Sequence, residues 1–600
     1  MMTDFPDLIL PAMLREQARS RGAAIAIRQK DFGIWQPTTW AQYFDRARDV
    51  AHGLQLLGLD ARGHLAILSE NRIEWVLAQL GAGCAGAITV GVYSTSPAPE
   101  VGYVLEHSDS TVVICEDQEQ VDKVFEIRDM LPKLARIVVM ETKGMRAYPE
   151  GQVISFAQME AEGRADRLAN PGMTDAILDQ LGPDDIGLMI YTSGSTGKPK
   201  GAMLSYRNIR AQALGLGDLL GLTSADRYLS YLPLCHVAEQ TMTVFGPLYH
   251  GAQINFGESL RTVQEDLREV APTYFLGVPR IWEKLHAAIH IGMLEAGGYR
   301  KVLYERALAA CDGFASTPPN QRGLAQKLRF QFWYWLVFRA LQNFIGLRHA
   351  RMAMTGAAPI SPAIVQYFRT LGVPLLEVYG ATETSGVVLG QRLSRLDPGM
   401  VGEPIVNAEM RLGEAGELLI RSDSVFAGYY KNDEATRSTI LDGWLHTGDV
   451  AEVTDGQYRI VDRLKDIMIT AGGKNLSPSE IENTMKSSPY IKECIVIGER
   501  RKFVSALIQV EFDTTAKWAE EQGIAYTNFR NLTENAAVRE LVEAEVARAN
   551  ATLANVARIR KIHLLTKELD HDDGEVTATM KVRRSAISEK YAGEIEALYA

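Results

Sequence analysis

Between Tyr191 and Gly201 the chain reads Y-T-S-G-S-T-G-K-P-K-G, and this run restricts what the chain around it can be. It holds three glycines, four Ser or Thr hydroxyls and two lysines. The apolar residues from Ile186 to Tyr191 precede it and read as a buried strand. Glycines let backbone approach a ligand closely, and hydroxyls and backbone N–H groups donate to phosphate oxygens. Lys198 and Lys200 add positive charge. The run is therefore predicted to be a strand-end loop that holds a polyphosphate. It is not the common P-loop, because Pro199 follows Gly197-Lys198 where Ser or Thr should stand. A plain turn between two strands is the alternative, but it does not call for four hydroxyls.

At 600 residues the chain exceeds a single compact core, so at least two domains are expected. A net charge of −11 argues against nucleic acid as a partner, although a local basic loop can still bind an anion. The five cysteines (Cys84, Cys115, Cys235, Cys311, Cys494) are scattered without a Cys-x-x-Cys pair. That pattern argues against a structural zinc or disulfide framework and fits the cytoplasm. The acidic start, Met1 to Asp7, lacks the basic region of a signal peptide. Phe330 to Phe338, F-Q-F-W-Y-W-L-V-F, is the most apolar segment and is too short to span a bilayer. It is predicted to be a helix packed in the core, with a peripheral surface for lipid or a partner as the alternative.

Helix and strand patterns alternate early in the chain: Ile73–Leu80 helix, Ala87–Tyr93 strand, Thr111–Cys115 strand. This alternation implies α/β architecture with largely parallel sheets. Gly81 to Gly86 formally matches G-x-G-x-x-G, but helix precedes and strand follows, so it reads as a helix-ending turn. Ser361-Pro362 and Ser477-Pro478 mark helix starts, the second with a capping box through Glu480. Leu285 to Leu347 is mostly helical, with a break at 316–320. Short strands and glycine turns fill Val401 to Ile460. The charged run Asp462-Arg463-Leu464-Lys465-Asp466 begins a change of texture. Beyond it, strands Cys494–Ile497 and Val504–Val510 and a charged helix Ala536–Asn550 suggest a small α+β domain. The boundary is placed between 1–462 and 463–600.

Further polar clusters follow strand-like segments. Thr355-Gly356-Ala357-Ala358-Pro359 is one, and Tyr379-Gly380-Ala381-Thr382-Glu383-Thr384 is another. Ligands in open α/β sheets collect beyond the carboxyl ends of strands, so these loops can converge with the first. Tyr379 offers a ring for stacking a base, Thr382 a donor and Glu383 an oxygen ligand for Mg²⁺. Gly443-Trp444-Leu445-His446-Thr447-Gly448-Asp449, Arg463 and Thr579-Met580-Lys581-Val582-Arg583 complete the set. Taken singly each is weak: Asp449 can be read as a turn residue, and Lys581 alone reads as a solvated lysine.

In this order the clusters resemble the adenylate-forming superfamily, over about Ile25 to Arg584. The subgroup most similar is the long-chain fatty acyl-CoA synthetases, through Val278-Pro279-Arg280-Ile281-Trp282-Glu283-Lys284, the helical stretch after it, Phe426-Ala427-Gly428-Tyr429-Tyr430, and Asp462 to Ile467. The resemblance implies a large N-terminal domain of stacked sheets with helices and a small barrel-like part, and a small mobile α+β C-terminal domain. It implies a ligase that converts a medium- to long-chain fatty acid to acyl-AMP and then acyl-CoA, with ATP, Mg²⁺ and CoA. Thr192, Ser193, Gly194, Ser195, Thr196 and Gly197 would hold the ATP phosphates, with Lys200 at the rim and Thr196 also near the metal. Gly356, Ala357, Ala358, Tyr379 and Gly380 would frame the adenine. Thr382 would meet the α-phosphate and Glu383 the Mg²⁺. Asp449 and Arg463 would hold the ribose, and Lys465 would be the hinge. Lys581 would reach the α-phosphate in the first half-reaction only. His236 would stand beside the acyl carboxylate, with a satisfied core histidine as the alternative. Ala578 departs from the pattern, since relatives often carry Pro there.

Two other functions compete. An acyl-AMP ligase that loads a carrier protein commonly carries an insertion near the hinge, and none is seen between Asp462 and Gly473. A silent nucleotide- or lipid-binding protein should have lost Glu383, Asp449 or Lys581, and all three are present. A CoA ligase for an aromatic or sterol-derived acid is a further alternative.

Overall fold

The computed structural model describes residues 7–600 except 146–147, 149–150, 193–197, 572 and 578–580. An eight-stranded sheet leads the N-terminal part. Its order is Gly428–Tyr429, Lys200–Ser205, Ile186–Thr192, Ile88–Val92, His64–Leu68, Val112–Cys115, Arg136–Val139, Val153–Ser155. The strands from Ile186–Thr192 through Val153–Ser155 are parallel, and Lys200–Ser205 returns antiparallel. Strands His64–Leu68 and Val112–Cys115 are buried throughout, as near-continuous apolar runs in a helix-covered parallel sheet are.

A second sheet sets Tyr274–Gly277, Met352–Thr355 and Leu375–Ala381 in parallel, with Gly386–Gly390 antiparallel at the end of Leu375–Ala381. A third joins Arg227–Ser230, Gln253–Phe256, Ile25–Asp31 and Ile34–Thr39. Antiparallel strands between Ala408 and Arg463 form the small separate sheet expected from the glycine turns there. From Met468 onward the core residues cluster among themselves, around the strands Ile491–Ile497, Val504–Val510 and Ile559–Leu564. Salt bridges Arg280–Glu511 at 2.6 Å and Lys517–Glu295 at 3.5 Å tie this C-terminal part to the helix Pro279–Ala296.

Local readings differ from the structure at four places. Gly81 and Gly83 lie inside the helix Ile73–Cys84, not in a turn after it, and only Gly86 has positive φ. A Cβ on Gly81 would meet Val50 Cγ1 at 2.5 Å, so close helix packing accounts for that glycine. Ser361 precedes the helix Pro362–Thr370 but its side chain does not cap it; Pro362 alone marks the start. Ser477 does cap Pro478–Met485 through the Glu480 N–H at 3.1 Å, without a reciprocal bond from Glu480. The apolar segment Phe330–Phe338 is helical, but it is not wholly core: Phe338 is buried while Phe332, Trp335 and Leu336 face water.

Candidate active site

Three strand ends supply the site. Thr192 and Lys200 face each other across the hairpin that carries the glycine-rich loop. Ser193, Gly194, Ser195, Thr196 and Gly197, the middle of that loop, lie outside the described residues. Its flanks are fixed: Tyr103 donates to the Pro199 carbonyl at 3.0 Å, and Lys198 Nζ stands 5.0 Å over the Tyr103 ring. Lys200 Nζ lies 5.0 Å over the ring of Tyr429, whose hydroxyl donates to Glu383 Oε1 at 2.6 Å. The phosphate-loop lysine and the carboxylate assigned to Mg²⁺ are thus joined through one aromatic ring. Tyr429 was not among the predicted site residues. Its partners are 46 residues before it for Glu383 and further still for Lys200, and no local pattern connects them.

The strands Met352–Thr355 and Leu375–Ala381 run in parallel, so Gly356 to Pro359 and Tyr379 to Glu383 leave the sheet at the same end. Gly356 is buried, and a Cβ there would meet Val378 at 2.9 Å; Ala357 and Ala358 are exposed, Ala357 at φ +67°. Gly380 has a structural reason of its own. A Cβ would stand 2.0 Å from the Gly386 carbonyl oxygen, so the glycine serves the strand pair and need not touch a ligand. Thr382 is buried and Glu383 half-buried in the short helix that follows.

Asp449 and Arg463 are directly paired across antiparallel strands, with Arg463 Nε 3.3 Å from Asp449 Oδ1. Tyr379 donates its hydroxyl to Asp449 Oδ2 at 2.5 Å. The adenine-side and ribose-side assignments therefore meet at one carboxylate. Burial raises the Asp449 pKa above the ordinary value, against the Tyr379 hydrogen bond and the charges of Arg463 and Lys581.

Lys581 comes from the C-terminal part to this same place. Its loop is held by Thr577 N–H to the Lys581 carbonyl at 2.8 Å and by Lys581 N–H to Thr577 Oγ1 at 3.1 Å; Ala578 lies outside the described residues. The lysine stays open to water, yet the protein around the cleft displaces enough solvent to lower its pKa. Arg463 lowers it further by repulsion, while Asp449 and Glu383 act in the opposite direction. Asp449 and Glu383 belong to the N-terminal part, so the two parts stand with Lys581 at the mouth of the predicted ATP site. The exposed Lys465 occupies the turn that joins Arg463 to the C-terminal part.

His236 feels Lys581 as well. Burial first, and the Lys581 charge second, push its pKa down to about 4, so the ring is neutral near pH 7. Its Nδ1 accepts from the Ala238 N–H at 3.1 Å, which leaves the proton on Nε2 as a donor. The segment carrying it is fixed by a buried network. Asn71 donates to the Leu232 carbonyl at 2.5 Å and accepts from the Leu234 N–H at 2.9 Å. Gln240 donates to the Leu234 carbonyl at 2.7 Å. Beneath it, Glu239 accepts from Ser230 at 2.6 Å, Thr243 at 2.5 Å and Tyr228 at 3.1 Å. A side chain on Gly91 would strike Cys235 Cα at 2.8 Å, so the segment lies flat on the large sheet.

Glu239 was not foreseen from the sequence. Burial lifts its pKa from 4.5 to about 7, outweighing three hydroxyl donors. Between those values the folded chain holds a proton that the unfolded chain has released, so stability falls as pH rises through the window. Glu239→Gln keeps the shape without the charge. It is expected to remove a loss of about 2 kcal/mol at pH 7 relative to pH 5. The check is the thermal midpoint of both proteins at the two pH values; an unchanged difference would mean that Glu239 ionises freely.

Among the described residues no group of three or more His, Cys, Asp or Glu side chains is placed to hold a metal. Glu383 as a lone carboxylate suits Mg²⁺ carried chiefly by nucleotide phosphates, because that ion commonly takes one or two protein carboxylates plus phosphate oxygens.

Sequence comparison supports the same grouping. The profile of the AMP-binding enzymes matches residues 14–430, and that of the AMP-binding enzyme C-terminal domain matches 465–600. The long-chain-fatty-acid–CoA ligase FadD15 of Mycobacterium bovis is 30% identical over 98% of this chain and 96% of its own. The long-chain-fatty-acid–CoA ligase ACSBG2 of Rattus norvegicus is 30% identical over 99% and 93%. The crystal structure of the anthranilate CoA ligase AuaEII with anthranoyl-AMP shares the fold, at a TM-score of 0.73 and 22% identity over 98% of both chains. With both domain profiles matched and Lys581 brought from one part to Asp449 and Glu383 of the other, the chain belongs to the AMP-binding enzyme family.

Proposed function

We propose that this chain joins a medium- to long-chain fatty acid to CoA at the expense of ATP, by way of an acyl-adenylate. The observation that carries the reading is the meeting of Lys581 with Asp449, Glu383 and His236, in a chain related over its whole length to long-chain-fatty-acid–CoA ligases. In the first step a carboxylate oxygen attacks the α-phosphorus of ATP and pyrophosphate leaves. In the second the CoA sulfur attacks the acyl carbonyl carbon and AMP leaves with both electrons of the broken C–O bond. A carboxylate has no good leaving group, and ATP supplies one.

Charge on the transferring phosphorus is the main barrier, and cations fixed in advance meet it. Lys581 and the Thr382 hydroxyl would face the α-phosphate. The hairpin with Thr192 and Lys200 would hold the leaving pyrophosphate. Asp449 would accept the ribose hydroxyls, oriented by Tyr379 and Arg463. Neutral His236 would donate from Nε2 to the acyl carboxylate without competing for its negative charge. Mg²⁺, held by Glu383, would neutralise phosphate charge. Lys465 would be the pivot for the swing of the C-terminal part between steps. The five cysteines are buried and unpaired, which supports a reducing, cytoplasmic location.

The test is product formation with ATP and CoA over straight-chain acids from acetate to icosanoate, with aromatic and bile acids alongside. Each buried methylene contributes about 0.8 kcal/mol, so kcat/KM should rise about fourfold per carbon until the pocket is filled. Activity confined to aromatic acids would overturn the fatty-acid assignment.

A further inference from the structure

The helical stretch that follows Pro319 presents two unlike faces. Phe338, Leu341 and Ile345 are buried in one core with Leu229 and Tyr231, and Phe330, Trp333, Tyr334 and Val337 pack against it. The other face carries Leu324, Leu328 (63% exposed), Phe332 (60%), Trp335 (60%) and Leu336. Leu328, Phe332 and Trp335 follow Leu324 at steps of four, four and three residues, and Leu336 stands four after Phe332, so the five side chains share one stripe of the helices Leu324–Trp333 and Tyr334–Phe338. The stripe is rigid, because the opposite face is anchored. Large aromatic side chains so exposed on an ordered helix require a partner that accepts both ring and alkyl groups.

Charge identifies that partner. The 64 residues from 313 to 376 contain no Asp or Glu, although the chain has 74 in all; an even spread would put about eight there. The same stretch has seven Lys and Arg. Arg351 pairs with Asp226, and Arg369 is buried against the Leu375 carbonyl, so those two are committed elsewhere. Lys327 and Arg329 are exposed on the helix itself, and Arg339 lies 4.7 Å over the ring of Trp335. Long basic side chains beside exposed apolar ones let the stem lie on a hydrocarbon boundary while the charge reaches outward.

From these observations we infer that the face formed by Leu324, Leu328, Phe332, Trp335 and Leu336 docks on an anionic lipid surface. Among the described residues no helix is long and apolar enough to cross a membrane, so the contact is peripheral. A second copy of the chain fits poorly, because a two-fold contact would set the basic face against itself. An anionic bilayer matches both the apolar stripe and its positive border. Each basic side chain near such a surface raises partitioning about fivefold. The inference does not depend on the proposed reaction, although a docked enzyme would stand where long-chain fatty acids partition.

The test is co-sedimentation of the full chain with vesicles of phosphatidylglycerol and phosphatidylcholine, against phosphatidylcholine alone. The wild type should pellet with the anionic vesicles and be released by added salt. Phe332→Ser with Trp335→Ser, and separately Lys327→Glu with Arg329→Glu, should each lower partitioning at least tenfold, with circular dichroism and ligase activity on a water-soluble acid unchanged. A wild type that stays in the supernatant, or a charge-reversed variant that still pellets, would overturn the inference. So would a dimer in sedimentation equilibrium that is lost in the Phe332→Ser, Trp335→Ser variant, since it would assign the face to a second copy.

Discussion

Lys465→Pro is expected to leave acyl-AMP formation in place while thioester formation from supplied acyl-AMP and CoA falls about a hundredfold. Lys465 sits in a turn where the Arg463 carbonyl accepts from the Asp466 N–H at 2.9 Å and the Ile467 N–H at 3.2 Å. The preceding N–H, that of Leu464, donates to Gly448 of the N-terminal part at 2.9 Å. A swing of the C-terminal part must therefore be absorbed within very few dihedrals, and proline holds φ near −65°. A reacting group displaced by about 1 Å already costs on the order of 10² in rate. Such a swing would also have to break a latch. Asp462 stays paired with Val450 in the N-terminal part, yet it accepts from Ser477 Oγ at 2.7 Å, Ser479 Oγ at 3.0 Å and the Ser479 N–H at 3.2 Å. Those serines open the helix Pro478–Met485 of the C-terminal part. Lys465→Ala separates backbone from side chain: it keeps φ free and should carry out both steps. If the proline variant runs the second step at the wild-type rate, the pivot is elsewhere.

Much of the architecture was legible because local rules agreed. The strand Val504–Val510 and the helix Ala536–Asn550 have the predicted bounds, since a short, mostly apolar run beginning and ending in Val and a charged helical segment leave little choice. The motif residues were legible as types: Tyr379, Asp449, Arg463 and Lys581 stand out by sequence and meet in space. What stayed hidden depends on distance along the chain. Glu239 lies 168 residues from Asn71, and nothing in Val237-Ala238-Glu239 tells a buried carboxylate from a surface one. Gly380 looked like a ligand-facing glycine because loop position and strand crowding demand the same residue. Phe330 to Phe338 is apolar or aromatic at every position but Gln331, so periodicity could not show which face is covered. That was settled only by the packing of Phe338, Leu341 and Ile345.

On the proposed function, Lys581 belongs to the adenylating arrangement and to no later one. In the structure its charge acts on His236, Asp449 and Glu383, across the boundary between the two parts. Lys581→Ala removes a cation from the reacting phosphorus, and losses of this kind typically reach about 10²–10³ in rate. If the C-terminal part then turns about Lys465, as proposed, the lysine would leave the acyl-AMP and be dispensable. The direct measurement is a pair of single-turnover rates on this variant: acyl-AMP formed from ATP and fatty acid, and acyl-CoA formed from supplied acyl-AMP and CoA. The expected result is a loss of about 10²–10³ in the first rate and a second rate close to wild type. No change in either would return Lys581 to the surface, and equal loss in both would contradict an alternating C-terminal domain.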